Sequence, residues 1–322
     1  MKIAFFEITK LEQERFTEEL KGYELLFFND IVQNVDTELY KDVDVICTFI
    51  YSKITDATLS QCTNIKAVLT RSTGTDHIDM SYCKSNDIIV KNVPFYGENT
   101  VAEHTMALLL SLSRKIAESL KRIREEGEFS TTGLQGFDLK GKTIGLIGCG
   151  RIGLHVARMA SAFGMNVIVY DIHKDEFMAE LINFKYVTLD ALYKNSDIIS
   201  LHVPLLPATH HMINDETIAK MKDGVVIINT ARGDLINTNS LLKAIDNRKI
   251  YGAGLDVVEG EGALVEETIF NSPVSGAAKI IKQNKTLMAN EHVVVTPHNG
   301  FNSYEAVNRI IATTLQNIKS IN

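Results

Sequence analysis

Arg232, Glu261 and His298 carry chemistries that suit one another. A guanidinium fork pairs with a carboxylate, a second carboxylate orients an imidazole, and the imidazole moves protons near neutral pH. Each lies just beyond an apolar, strand-like run. Asn229-Thr-Ala-Arg-Gly233 ends the run 225–229, Leu255-Asp-Val-Val-Glu-Gly-Glu261 ends 251–256, and Thr296-Pro-His-Asn-Gly300 ends 292–296. Leu201-His-Val-Pro-Leu205 closes a further run, 197–201. In a parallel sheet such carboxyl ends converge on one crevice. Taken singly, each residue also has a plain alternative: Arg232 as a surface cation, Glu261 as a solvated loop acid, His298 as a helix cap. His210 and His211 are adjacent, so their side chains are expected to diverge; they read as loop residues, with no metal site.

The sheet that must position these residues starts from a glycine motif. Thr143–Ile147 is a short apolar run, read as a buried parallel strand. It feeds Gly148-Cys-Gly-Arg-Ile-Gly153, after which Ile152, Val156, Met159 and Phe163 fall at helical spacing and Gly164 stops the helix. A second apolar run, 167–170, ends on Asp171, 18 residues past Gly153. Gly148 permits the tight turn, Gly150 the approach of a pyrophosphate, and Gly153 close packing of helix on strand. The helix amides and dipole face the phosphates, and Asp171 is placed to accept from ribose hydroxyls. Strand, helix, second strand and terminal acid together predict dinucleotide binding. Cys149 inside the turn is either a thiol activated by the helix end or a small residue that fits.

At 322 residues the chain is long enough for about two domains. Its net charge of −7 argues against nucleic acid and anionic membranes as partners. The four cysteines are scattered with no C-x-x-C, which predicts reduced thiols in a cytoplasmic protein. The N-terminus is charged too early for a signal peptide. The apolar stretch 106–112 falls short of the ~20 residues of a membrane span.

Strand-like runs at 2–8, 23–28, 43–47, 66–70 and 88–91 alternate with helical segments such as 10–21 and 56–62, predicting a small parallel α/β domain. Arg71-Ser-Thr-Gly-Thr-Asp76 follows one of these strands; its amides are placed either to hold a carboxylate or simply to turn the chain into a helix. Asn92–Asn99 reads as a linker. Thr100 and Glu103 then form a T-x-x-E capping box for a helix running towards Ile123, with His104 structural in its first turn. The apolar residues Met106, Ala107, Leu109 and Leu110 extend beyond one stripe of that helix, as a subunit contact would require. About six parallel strands are expected after residue 140, and the long connection 262–290 is expected to hold its own helix.

These motifs, in this order, resemble the NAD-dependent D-isomer-specific 2-hydroxyacid dehydrogenases over essentially the whole chain. The resemblance rests on Arg71–Asp79, Asn92-Val-Pro-Phe-Tyr96, Thr100-Val-Ala-Glu-His104, the glycine motif, Leu201–Leu205, Thr230-Ala-Arg-Gly233, Leu255-Asp-Val257 and Thr296-Pro-His298. The long interval from Glu261 to His298 and the ending His298-Asn-Gly-Phe-Asn302 are most similar to the D-lactate dehydrogenase branch. The resemblance implies two doubly wound parallel-sheet domains. A Rossmann-type cofactor domain (103–296) is inserted into a flavodoxin-like substrate domain (1–102 and 297–322), and closure of the two excludes water. It implies that Arg232 binds the substrate carboxylate and carbonyl, that His298 is the acid/base, and that Glu261 is its partner.

For the cofactor, NAD, the resemblance implies Gly148, Gly150, Arg151, Ile152, Gly153, Asp171, His202, Val203, Pro204, Thr209, Thr230 and Ala231, with Asp256 near the carboxamide. For the substrate it implies Ser72, Thr73 and Gly74 through backbone groups, with Tyr96 and Phe301 walling the pocket. The implied function is NADH-dependent reduction of a small 2-keto acid such as pyruvate by a homodimer. The alternatives are a hydroxypyruvate/glyoxylate or phosphoglycerate-type reductase, or a non-catalytic NAD-sensing protein of the same fold. No Arg or Lys cluster for a substrate phosphate is evident, and no C-terminal regulatory domain is expected. Asn299 stands where the family often has an apolar residue, which bears on pocket size.

Overall fold

The computed structural model describes residues 1–264 and 277–321, and within them the chain forms two compact units. The first comprises Met1–Gly97 and Asn302–Asn322, the second Glu98–Phe301.

In the first unit, short apolar runs make the parallel strands β1 (Lys2–Phe5), β2 (Glu24–Phe27), β3 (Val45–Thr48), β4 (Ala67–Thr70) and β5 (Ile89–Lys91), in the order β2-β1-β3-β4-β5. This is the flavodoxin-like order. β3 and β4 are buried along their whole length, as central strands covered on both faces must be. The helix Lys10–Glu19 starts at a real capping box: Thr9 and Glu12 exchange side-chain and backbone hydrogen bonds. Glu12 also accepts from Nε of Arg71 at 3.0 Å, so a guanidinium only 1% exposed is paired. The helix Tyr304–Lys319, capped by Ser303, lays Ile311, Leu315 and Ile318 onto Ile3, Phe5 and Phe16. Truncating one such side chain to Ala costs about 2–5 kcal/mol.

The second unit holds a seven-stranded parallel sheet: β6 (Thr143–Ile147), β7 (Asn166–Tyr170), β8 (Lys185–Tyr186), β9 (Ile198–Leu201), β10 (Val225–Asn229), β11 (Ile250–Leu255) and β12 (Val293–Val295). Their order is β12-β11-β10-β9-β6-β7-β8. The sequence suggested six; the seventh, β8, is two residues long and has no apolar run to announce it. The helix Arg151–Ala162 follows β6, and Gly164 at φ 73° ends it. Its buried stripe is Gly153, Val156, Ala157 and Ala160, while Phe163 is 44% exposed. Small residues face inward because this helix packs with Ala102, Met106 and Leu109 of another helix, Glu98–Ser113.

That second helix departs from the sequence reading in three ways. It begins at Glu98, so Thr100 and Glu103 lie inside it and form no capping box; the Glu103 carboxylate accepts from Nδ2 of Asn99. It breaks before Lys115, which has φ 53°, and resumes only at Ile116. Met106 and Leu109 are buried within their own unit, so the exposed apolar residues here are instead Ile116, Leu120 and Ile123. The early helix start moves the first unit boundary from 102/103 to 97/98, and the second falls at 301/302 in place of 296/297. The turn 298–300 is tied by hydrogen bonds to Asp256, which keeps it in the second unit. The connection 262–290 contains a helix, Ala278–Met288; its residues 265–276 lie outside the described residues.

Candidate active site

β10, β11 and β12 are neighbours in the sheet, so the segments that leave their carboxyl ends lie side by side. Backbone bonds continue the register past the strands: Asp256 N donates to Asn229 O (2.9 Å), Thr296 N to Leu255 O (2.9 Å) and His298 N to Asp256 O (2.8 Å). The Asn229 side chain closes the turn before Arg232, accepting from Ala231 N and donating to Arg232 O. Nη1 of Arg232 donates to Ala231 O at 2.8 Å. At Gly233 any Cβ would stand 2.0 Å from the carbonyl oxygen of Val258. Only glycine lets the Arg232 turn press against the segment that leads to Glu261.

His298 and Glu261 meet: Nδ1 of the imidazole lies 2.7 Å from Oε1 of the carboxylate, with side chains 18% and 25% exposed. His298 has φ 51°, a left-handed conformation that costs a non-glycine residue about 1–3 kcal/mol. The side chain of Asp256 holds it there. This carboxylate is 3% exposed and accepts from Oγ1 of Thr296, from Asn299 N (2.7 Å) and from Gly300 N (2.7 Å), with Nε2 of His104 3.2 Å from Oδ1. Burial by itself raises its pKa, but these donors outweigh burial and hold the carboxyl below its ordinary range. Asp256, expected near a cofactor carboxamide, thus has both oxygens committed to the turn that carries His298. His104, read as a helix residue, reaches across to the same turn and also lies 2.9 Å from Oγ1 of Thr296. The partners are 192 residues apart, a distance no local pattern spans.

The glycine turn lies where the strand order reverses, between β6 and β9. Gly148 has φ 93°, and a Cβ there would stand 2.6 Å from His202 O; one at Gly153 would stand 2.4 Å from Gly148 O. A Cβ at Gly150 would meet nothing within 4 Å, and the helix that Gly150 begins has no side-chain cap. Open space in front of uncapped amides fits a pyrophosphate. Arg151 is exposed beside this space, 3.6 Å from Glu98, and Ile152 is half-buried. Asp171 accepts from Cys149 N (2.6 Å) and His173 N (2.8 Å), one bond per oxygen. A carboxylate has about four acceptor sites, so capacity for hydroxyls remains. Burial, with Asp171 and Asp175 nearby, pushes the Cys149 thiol up to about 12, which favours a small packing residue over an activated thiol.

Around that turn, His202 lies 2.9 Å from Oγ of Ser200, and burial drives its imidazole down to about 4, neutral at pH 7. Val203 and Pro204 continue the same loop, which Thr209 staples by donating to Pro204 O and accepting from Leu206 N. Oγ1 of Thr230 pairs with Oγ1 of Thr105 at 2.9 Å, and Ala231 is half-buried next to it. The rings of His210 and His211 do not diverge: they stack with centroids 3.9 Å apart, and His211 pairs with Glu259 at 2.7 Å. Among the described residues no three His, Cys, Asp or Glu side chains are grouped to hold a metal ion.

Ser72, Thr73, Gly74 and Tyr96 belong to the first unit, and Phe301 to the second. Ser72 is buried, its hydroxyl bridging Gly74 O and Oγ1 of Thr70 at 2.7 Å each. The Thr73 hydroxyl donates to Val93 O, and Tyr96 O accepts from Arg309. The hydroxyls of Ser72 and Thr73 therefore shape the turn from within.

Residues 106–300 match the model of the D-isomer specific 2-hydroxyacid dehydrogenase, NAD binding domain. The chain is 43% identical over 258 residues to an aromatic 2-oxoacid reductase of Clostridium sporogenes, covering 79% of this chain and 75% of that one. It is 32% identical to the D-lactate dehydrogenase of Escherichia coli K12, covering 100% and 97%. Among solved structures, the D-lactate dehydrogenase of Aquifex aeolicus complexed with NAD and lactic acid superposes with a TM-score of 0.90 at 36% identity, covering 99% and 94%.

Proposed function

The chain belongs to the D-isomer specific 2-hydroxyacid dehydrogenases, NAD-dependent oxidoreductases of small 2-hydroxy and 2-keto acids, and from that premise we propose that its own reaction is reduction of a short 2-keto acid such as pyruvate. The observation that carries this is the His298–Glu261 pair at 2.7 Å, set beside the Arg232 turn. Bound NADH supplies the hydride. Arg232 presents a planar fork that suits the two oxygens of the substrate carboxylate. Nδ1 of His298 is engaged by Glu261, which assigns Nε2 as the nitrogen that carries the proton for the developing alkoxide. Such general-acid help is worth about 10²–10⁴ in rate. Asp256 and His104 fix the turn that aims the ring.

Cofactor contacts are proposed for the glycine turn, Arg151, Ile152, Asp171, His202, Val203, Pro204, Thr209, Thr230, Ala231 and Asp256, and substrate contacts for Ser72, Thr73, Gly74, Tyr96 and Phe301. The presence of Arg232 together with a His298 oriented by Glu261 supports turnover over a purely sensing role. A homodimer is proposed from the exposed apolar face Ile116, Leu120 and Ile123. A cytoplasmic location is proposed from four buried, unpaired cysteines. The test is a panel of 2-keto acids from glyoxylate to phenylpyruvate, with NADH oxidation as the readout. The highest kcat/KM is expected for pyruvate; no turnover of any member would reject the reading.

A further inference from the structure

Glu7 follows β1 with φ 54°, a left-handed backbone adopted by a residue that is not glycine. Its carboxylate gathers the loop that leaves β3: it accepts from Oγ1 of Thr48 (2.8 Å), Phe49 N (3.2 Å), Tyr51 N (2.8 Å) and Ser52 N (2.9 Å). Three backbone N–H groups and one hydroxyl of this segment are thus satisfied by a single side chain from the turn after β1. Charge-assisted bonds of this kind are about twice as strong as neutral ones. The backbone of Glu7 is held in turn, since its carbonyl accepts from Nη2 of the buried Arg71 at 2.7 Å.

The pinned loop is next to the expected substrate turn. β3 and β4 pair with Thr48 opposite Thr70, so Phe49–Ser52 and Ser72–Gly74 leave adjacent strand ends. They are joined directly: Arg71 N donates to Thr48 O (2.9 Å), Oγ1 of Thr70 to Phe49 O (3.3 Å), and Oγ1 of Thr70 pairs with Oγ of Ser72. The Arg71 guanidinium also lies 5.8 Å from the centre of the Phe49 ring. Ligands of open α/β sheets bind outside these carboxyl ends. The loop carries three bulky residues in a row, Phe49-Ile50-Tyr51.

We infer that Glu7 is a positioning residue for substrate size: by clamping the Phe49–Ser52 loop beside Ser72–Gly74 it fixes the room left for the side chain of the 2-keto acid and disfavours bulky ones. This rests on the 2-keto acid reading proposed above. Glu7→Gln keeps the shape but turns one acceptor into a donor that faces backbone N–H groups, so the clamp opens while the apolar core is untouched. The experiment compares kcat and KM for pyruvate and phenylpyruvate in wild type and Glu7→Gln, with the NADH Kd and amide exchange of Phe49, Tyr51 and Ser52. The expected result is at least a tenfold fall in the pyruvate-to-phenylpyruvate ratio of kcat/KM, carried by KM. The NADH Kd should not change, and the three amides should exchange at least tenfold faster. Glu7→Asp keeps the charge but falls one methylene short; it is read the same way should the Gln variant fail to fold. An unchanged ratio, or an equal loss on both acids, overturns the inference. Absence of turnover in the wild type would instead reject the 2-keto acid reading, while amide exchange would still report whether Glu7 holds the loop.

Discussion

Asp256→Asn isolates the turn that carries His298. Oδ2 accepts from Gly300 N, and Oδ1 from Asn299 N and Thr296. An asparagine has one carbonyl oxygen, so in either flip an N–H of Asn299 or Gly300 faces a second donor. A buried unsatisfied donor costs about 1–3 kcal/mol, and the remaining bonds lose their charge assistance. The second unit should lose about 2–4 kcal/mol at pH 7, read as a shift of its urea midpoint. Because Asp256 O also accepts from His298 N, the imidazole moves with the turn. A displacement of about 1 Å is worth ~10² in rate, so kcat should fall by that order.

The pH dependence has a definite sign. The folded carboxyl lies below its ordinary 3.8, so its stabilisation is present above that value and is lost as pH falls through the folded pKa. Wild type and variant should therefore converge in stability below about pH 4 and stay apart at pH 7. A variant within about 0.5 kcal/mol of wild type at pH 7, or a gap that does not close in acid, would refute this account of Asp256.

Arg232→Lys keeps the charge and loses the fork; kcat/KM for pyruvate should drop by about 10²–10³ with the NADH Kd unchanged, and near-normal activity would rule out Arg232 as the carboxylate clamp. Wild type should favour NADH over NADPH by about 10² in kcat/KM, because Asp171 repels a 2′-phosphate; Asp171→Ala should shrink that ratio, and equal use by wild type would refute the role. Leu120→Glu should convert a dimer to a monomer in sedimentation, since Leu120 is 44% exposed between Ile116 and Ile123; a wild-type monomer at micromolar concentration would remove the proposed interface.

What could be read from the sequence was what short spacing encodes. The glycine turn, Gly164 and the strand ends before Arg232, Glu261 and His298 follow from periodicity and turn chemistry within some thirty residues. Periodicity caught only part of the inner stripe of the helix after Gly150: Val156 is buried and Ile152 and Met159 pack on the same core, but Ala157 and Ala160, not Phe163, complete it. A T-x-x-E pattern starts at Thr100 inside a helix and another at Thr9, which does cap one; nothing local distinguishes the two. Contacts such as His104 with Asp256, Glu7 with the Phe49–Ser52 loop and Glu12 with Arg71 join distant segments, and only the sheet order brings those together.

The first unit is interrupted in sequence by the second, and this bears on how the protein is made. Its core needs Ile311, Leu315 and Ile318 against Ile3, Phe5 and Phe16. On the ribosome, the roughly 200 residues of the second unit are translated in between, at about 5–20 residues per second. For about 10–40 s the face of the first sheet that receives the last helix stays uncovered. The contiguous second unit can complete itself in that interval, so the unit that begins the chain is the last to be finished. A nascent chain stalled before Asn302 should therefore bind a hydrophobic dye or a chaperone through Phe5 and Phe16. Equal binding by a released full-length chain would count against this order.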